Sequence, residues 1–289
     1  MTAPVLADAL GPRARRRVRI ASAFAFVLIA GFLYVAIGRF ADRGQLEWSR
    51  WELLTEWNVM KFLLLGLVNT LKVAAVSMVL ALALGATLAM LRLTTQLPLR
   101  WLGGSYVQFF RAIPLLLVIY FSGRGLPKLG FDLGAFWYLV LALVVYNGAV
   151  LAEIIRAGIL SLDRGQTDAA YALGLGYWET MRYVLLPQAL RRMLPALVSQ
   201  LVVLLKDTSL GFVLPYDELL RRGEQTGTFS QNILQAAIVV AAIYIIVNYS
   251  LTRFANWLEA RQRRRYQAGA IDVTGVEDLA ALSVTNRQA

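Results

Sequence analysis

The feature that most constrains this chain is a set of long apolar runs separated by shorter polar stretches. Residues 20–38, 67–91, 106–121, 135–155, 194–214 and 232–254 each read as largely apolar sequence. A helix of ~20 apolar residues crosses the ~30 Å hydrocarbon core of a bilayer. There every backbone N–H and C=O needs an internal partner, which a helix supplies within itself. The expected fold is an all-α, polytopic helical bundle of about six transmembrane helices.

Composition narrows the chemistry. The 289 residues are 58% apolar and 16% charged, whereas a soluble domain carries about 25% charged residues. With no cysteine and no histidine, structural disulfides, thiolate metal sites and the usual general base are absent. No catalytic and no metal-binding residue is assigned. The chain also lacks a Gly-rich phosphate loop and any GKS or GKT sequence, so it does not bind ATP in the usual way. A pump built on it must borrow its motor.

The formal net charge of +11 would suggest nucleic acid on a soluble protein. Here it reports topology, because basic residues are retained on the cytoplasmic side of spans. With both termini inside, the inner segments hold more than twice as many Lys and Arg as the outer ones. They include RARRRVR (13–19), Arg92, Arg100, the 156–192 stretch and RQRRRY (261–266). No nucleic-acid partner is expected. The run at 20–38 follows a basic start and is long for a signal-peptide core, so it reads as a signal anchor.

Residues 39–61 carry Trp48, Trp51 and Trp57 and read as a helix on the outer surface, where tryptophan favours the interface. The remaining connections read as an inner loop at 92–104 and outer loops at 123–134 and 215–230. The organisation expected is 1–60 for tail, anchor and outer segment, 61–259 for the transmembrane core, and 260–289 for a cytoplasmic tail.

One connection is too long to be a plain link. Between the fourth and fifth runs lies DAAYALGLGYWETMRYVLLP (168–187). Its Ala, Leu, Met and Glu favour helix, while Gly174 and Gly176 interrupt it and Pro187 ends the local pattern. A short helix, a glycine turn and a second short helix are expected. Ala169, Ala170, Ala172 and Gly174 are small enough for close backbone approach. Tyr171, Leu173 and Tyr177 supply anchors for a partner's groove. Gly174 suits a turn with positive φ.

At these residues the chain resembles the inner-membrane permease subunits of bacterial ATP-binding-cassette importers, whose cytoplasmic loop has a Glu-Ala-Ala signature. That pattern continues with three residues, Gly, nine residues, Ile, any residue and Leu-Pro. This chain has Asp168, Ala169, Ala170, Gly174, Val184, Leu186 and Pro187 at that spacing. Asp stands for Glu and Val for Ile. The segments FRAIPLL (110–116), NGAVLAEIIRAGILSLDRGQ (147–166), LLPQALRRMLPAL (185–197) and KDTSL (206–210) are similar to the branch carrying polar amino acids.

The resemblance implies the type I importer permease fold in a bacterial cytoplasmic membrane. It implies cytoplasmic ATPase subunits that use ATP and Mg, a second permease chain, alike or different, and an extracytoplasmic amino-acid-binding protein. This chain would bind no cofactor and would not be an enzyme. The 168–187 loop would couple ATP hydrolysis to alternating access. Glutamate is the first choice of cargo, with glutamine, aspartate or a basic amino acid as alternatives. A rival from another class is an ion-coupled secondary carrier or channel, for which Asp207 would be an intramembrane carboxylate, although no internal repeat accompanies it.

Polar residues inside apolar runs mark candidate cargo contacts, because charges there are costly. They are Arg111, Asn147, Gln200, Lys206, Asp207, Thr208 and Ser209, with Asn69 and Ser199 nearby. Glu153 and Arg156, at i and i+3, read as a structural ion pair. Since the chain has no native cysteine, topology is directly testable. A cysteine at Ser230 should react with an impermeant thiol reagent from outside, and one at Thr180 only after permeabilisation. The reverse labelling pattern overturns the six-span topology.

Overall fold

The computed structural model describes residues 11–257 and residue 260. Among the described residues there is no strand. Five helices are long and apolar enough to cross a membrane, and a sixth crossing is possible if one bent helix pair is a single span. The chain divides into two units, the second beginning at Trp57.

The first unit contains α1 (Pro12–Asp42) and α2 (Ser49–Thr55). Pro12 stands in the first turn of α1, where its missing N–H costs nothing. No α1 residue is buried, and its Phe24, Phe26, Phe32 and Tyr34 are all exposed. Side chains of this kind suit lipid contact. The outer surface helix expected over 39–61 is shorter than the sequence suggested. Helix α1 continues through Asp42 and the next long helix starts at Trp57, and of residues 43–56 between them only the seven of α2 are helical.

The second unit is organised by α3 (Trp57–Leu93) and α6 (Gly134–Leu160). Gly85 faces α6 so closely that an added Cβ would lie 2.8 Å from Leu151 Cβ and 3.0 Å from the Gly148 carbonyl oxygen. A Cβ on Gly148 would in turn meet Leu84 at 2.8 Å. Ala81, Ala89, Ala149 and Ala152 extend this buried stripe of small side chains. Helices that associate in lipid use such residues because packing replaces the hydrophobic effect.

The third apolar run does not form one straight span. Helix α4 (Leu97–Ala112) and helix α5 (Leu115–Lys128) meet at a 97° bend. Pro114 disfavours helical geometry at the preceding residue, and Ile113 is extended at φ −91°, ψ 132°. The expected inner loop at 92–104 is consequently mostly helix, with residues 94–96 as the link. The outer loop at 123–134 shrinks as well, because α5 runs to Lys128. Gly130 (φ +88°) and Gly134 (φ +77°) take left-handed conformations that admit glycine easily.

After α6 come α7 (Arg164–Ala172) and a one-turn α8 (Tyr177–Glu179). A π-helical segment, Thr180–Leu185, leads into α9 (Leu186–Asp207) and a 3-10 segment, Thr208–Val213. The chain thus stays helical through Pro187, where the sequence suggested a stop. Pro187 lies in the first turn of α9, and the widened π winding just before it is where the regular i→i+4 ladder changes.

The expected outer loop at 215–230 contains a helix, α10 (Leu219–Ser230), followed by α11 (Ile233–Trp257). Fully buried Glu218 caps α10, accepting from Leu220 N at 2.8 Å and Arg221 N at 2.6 Å. The Tyr244 hydroxyl donates to the same carboxylate at 3.0 Å. Burial pushes the Glu218 carboxyl up, and these hydrogen bonds partly offset the shift. A Cβ on Gly223 would lie 2.2 Å from Val240 Cγ2, so α10 sits tightly on α11.

The first ten residues and the RQRRRY segment of the proposed 260–289 tail lie outside the described residues. Thr180 is only 1% exposed, so exposed Glu179 beside it is the better labelling site for the side expected to be inside. The α3–α6 contact predicts that Gly85→Leu lowers membrane abundance several-fold. Gly31→Leu in α1, with nothing within 4 Å, should leave abundance level. Immunoblotting of membrane fractions checks the pair.

Candidate functional site

The loop after α6 is anchored on one side and open on the other. Asp163 caps α7 through its carboxylate, which accepts from Gly165 N at 2.7 Å. Helix α7 ends with Gly174 N donating to Tyr171 O at 2.9 Å and Leu175 N donating to Ala170 O at 3.2 Å. These paired bonds form a Schellman turn, which needs a left-handed residue. Gly174 supplies it at φ +82°.

Polar ties hold the loop to α9. Gln188 donates to Gln166 Oε1 at 3.0 Å and Arg192 donates to the Ser161 carbonyl at 2.6 Å. Beneath them Leu162, Met181, Leu185, Ala189 and Met193 share one buried cluster with Ile155 and Ile159 of α6. The loop is therefore continuous with the core.

The candidate loop residues divide between two faces. Ala170 is buried and packs inward, so it serves this chain's own packing and not a partner's approach. Asp168, Ala169, Tyr171, Leu173, Gly174, Leu186 and Pro187 are exposed. Leu173 is 82% and Trp178 69% exposed, and Tyr177 packs edge-on against Trp178 with ring centroids 5.3 Å apart. Tyr183 is exposed as well. The sequence reading did not include Trp178 and Tyr183, although two more large aromatics in a polar loop were a usable signal.

Four charged side chains meet near the C-terminal ends of α3 and α6. Glu153 Oε2 pairs with Arg92 of α3 and lies 3.6 Å from Arg111 Nη1 of α4. Its Oε1 is 3.4 Å from Arg156 Nη1. The i, i+3 pair was legible in the sequence, but Arg92 and Arg111 reach it only through the tertiary fold. Arg111, a candidate cargo contact, thus has a carboxylate partner within this chain.

The remaining candidates sit deeper. Asn147 is fully buried, and its Oδ1 accepts from Gln200 Nε2 at 2.7 Å, which ties α6 to α9. Thr208 Oγ1 donates to Leu205 O and Ser209 Oγ to Lys206 O, so both hydroxyls satisfy local carbonyls. Asn69 donates to Asp217 O at 3.0 Å, and Ser199 is exposed on α9.

Lys206 and Asp207 do not pair with one another, and among the described residues neither forms an ion pair. Lys206 instead borders a groove of ≈ 510 Å³ between α9 and α11. Ser209, Tyr244, Asn248, Tyr249 and Thr252 also line it. Asn248 is 8% exposed and its Oδ1 lacks a hydrogen-bond partner. Tyr244, Asn248 and Thr252 recur every fourth residue in an apolar helix, a helical-face pattern that the sequence reading passed over.

The profile of the family described as "Binding-protein-dependent transport system inner membrane component" matches residues 82–264. The chain belongs to that family. The matched residues include the α7 loop, the Glu153 cluster, the Asn147–Gln200 bond and the Lys206 groove, while α1 and α2 lie outside them.

A glutamate transport system permease protein, GluD of Corynebacterium glutamicum, is 40% identical, covering 77% of this chain and 83% of that protein. An arginine transport system permease protein, ArtQ of Bacillus subtilis, is 38% identical over 69% of this chain and 92% of its own length. Among solved structures, an amino acid ABC transporter crystallised with histidines matches with TM-score 0.68 and 30% identity. That match covers 72% of this chain and 97% of the solved one. The all-α polytopic fold and the family expected from the loop motif both stand.

The absence of a Lys206–Asp207 ion pair yields a specific outcome. Lys206→Met leaves no orphaned carboxylate, so membrane abundance should hold, whereas breaking a buried pair would cost ~3–5 kcal/mol. Uptake should fall at least about tenfold, the scale of one charge-assisted hydrogen bond. Lys206→Met with Asp207→Asn should not restore it. A double variant that regains abundance and uptake together would make these residues a structural pair.

Proposed function

We propose that this chain is the transmembrane permease subunit of an ATP-binding-cassette importer for polar amino acids, with glutamate as first cargo. It lies in the bacterial cytoplasmic membrane with both termini inside. Two cytoplasmic ATPase subunits supply the motor and hold ATP and Mg, while this chain hydrolyses nothing. A second permease chain completes the pathway, and an extracytoplasmic binding protein delivers the cargo.

The observation that carries this reading is the loop at 161–187. Its inward face is fused to α6 and α9, and its outward face presents Tyr171, Leu173, Tyr177 and Trp178 to the surroundings. Exposed aromatics on a rigid support, outside the apolar core, have the composition of an interface hot spot. A force on that face reaches α9 through the Gln166–Gln188 and Ser161–Arg192 bonds. A docked ATPase would use this route to bias the orientation of the bundle.

The names of the relatives support amino-acid cargo, and that of GluD supports glutamate. The groove is chemically suited to an amino acid. Lys206 would meet a carboxylate, and the unpartnered Asn248 Oδ1 would accept from an ammonium group. A desolvated zwitterion needs both kinds of partner.

Reconstitution with the ATPase and binding protein in vesicles tests the reading. Glutamate uptake should require ATP and the ATPase. Gly174→Val forces a β-branched residue into a left-handed conformation at ~1–2 kcal/mol, so uptake should fall about tenfold while the ATPase still binds. Gly174→Asn, which tolerates that conformation, should stay near the parental rate. Parental uptake by Gly174→Val with normal ATPase binding would remove the loop from the coupling role. Ion-driven uptake without the ATPase would favour a secondary carrier.

A further inference from the structure

The Glu153 cluster is unbalanced. One carboxylate faces three guanidinium groups, those of Arg92, Arg111 and Arg156. The surplus is two positive charges, and among the described residues no other carboxylate lies within ion-pair distance of these arginines. The charges are accessible to different degrees. The Arg92 side chain is 13% exposed and committed to Glu153, whereas those of Arg111 and Arg156 are 49% and 34% exposed.

The cluster also lies at a definite depth. Arg92 closes the apolar run of α3, in the last turn of that helix, where hydrocarbon gives way to headgroups. Helix α4, which carries Arg111, also exposes Trp101, Leu102 and Phe109, the last two on the opposite side of the helix from Arg111. Tryptophan prefers this interfacial zone. The surplus guanidinium groups thus lie where an apolar run ends.

We infer that Arg111 and Arg156 bind the phosphate of an anionic phospholipid at the end of the apolar run of α3. Guanidinium forks match phosphate oxygens in a bidentate manner, and basic pockets between transmembrane helices are suited to anionic headgroups. Glu153 has a double role. It holds α3, α4 and α6 together at one point, and it subtracts one charge from the lipid site. The inference depends on the topology proposed above only for which leaflet supplies the lipid. It does not depend on the identity of the cargo.

The two roles of Glu153 predict opposite effects, which makes the idea testable. The purified full chain would be equilibrated with mixed micelles of phosphatidylglycerol and phosphatidylcholine, and retained lipid counted by native mass spectrometry. The parental chain should retain phosphatidylglycerol in preference to phosphatidylcholine. Arg111→Gln should reduce that preference about fivefold, the usual weight of one arginine near an anionic surface. Arg111→Lys should keep most of it. Glu153→Gln should raise the preference even as it loosens the helix contact, because the site gains net positive charge.

A loss of preference in Glu153→Gln would overturn the inference, since a purely structural cluster predicts that sign. So would an unchanged preference in Arg111→Gln. Equal displacement of the lipid by free inorganic phosphate or free glutamate would make this a soluble-anion site and overturn the lipid assignment. No transport step enters the measurement, so its failure is distinguishable from failure of the proposed cargo or coupling.

Discussion

The close approach of α3 and α6 is the contact on which the other elements depend. Gly85 and Gly148 remove the side chains that would hold the two backbones apart, and packing over a long stripe becomes possible. In lipid this matters more than in water, because apolar surface gains little from leaving one hydrocarbon environment for another. Helix α4 packs Val107 against Leu88, Ala149 and Ala152 of this pair. Helix α5 adds Leu115 and Ile119 beside Leu139 and Leu143. The cluster that supports the α7 loop likewise includes Ala81, Ala89 and Leu151.

Polar groups in this bundle fall into two kinds. Asn147 with Gln200, Glu218 with the α10 N-terminus, and Thr208 with Leu205 are satisfied within the chain. Buried amides, hydroxyls and carboxyls of that sort fix how helices face each other. Lys206, Asn248 Oδ1 and the surplus arginines around Glu153 lack a full complement of partners. A single chain in a bilayer cannot leave such groups against lipid tails without cost. Their chemistry is therefore free to meet groups from outside this chain.

Much of this architecture was legible from residue order because hydropathy is a local property. The six apolar runs anticipated the long helices, and the spacing from Asp168 to Pro187 located the loop and its glycine turn. Errors arose where a single residue redirects the backbone. Pro114 breaks one run into α4 and α5, yet Pro187 leaves a continuous helical path because the π-helical segment adapts ahead of it. The α10 helix was read as loop because its polar side chains mask a buried face of Leu219, Gly223 and Gly227. The site was harder to read. Arg92 and Glu153 are 61 residues apart, and only the crossing of α3 and α6 joins them.

The attachment of the loop to α9 gives that helix the geometry of a lever. The polar tie at Gln188 and the amino group of Lys206 belong to one helix, separated by roughly 27 Å of rise at 1.5 Å per residue. If α9 pivots as a stiff rod at the Gln200–Asn147 bond, a rotation of about 10° moves the loop end by roughly 3 Å and the Lys206 end by roughly 1.6 Å the other way. The Asn147–Gln200 bond, two-thirds of the way along, lies where such a rod would be braced against α6. A helix braced there would pass a push on the loop to the Lys206 end reversed in direction and about halved, so the charge would shift by a fraction of a helical turn and not by a whole one.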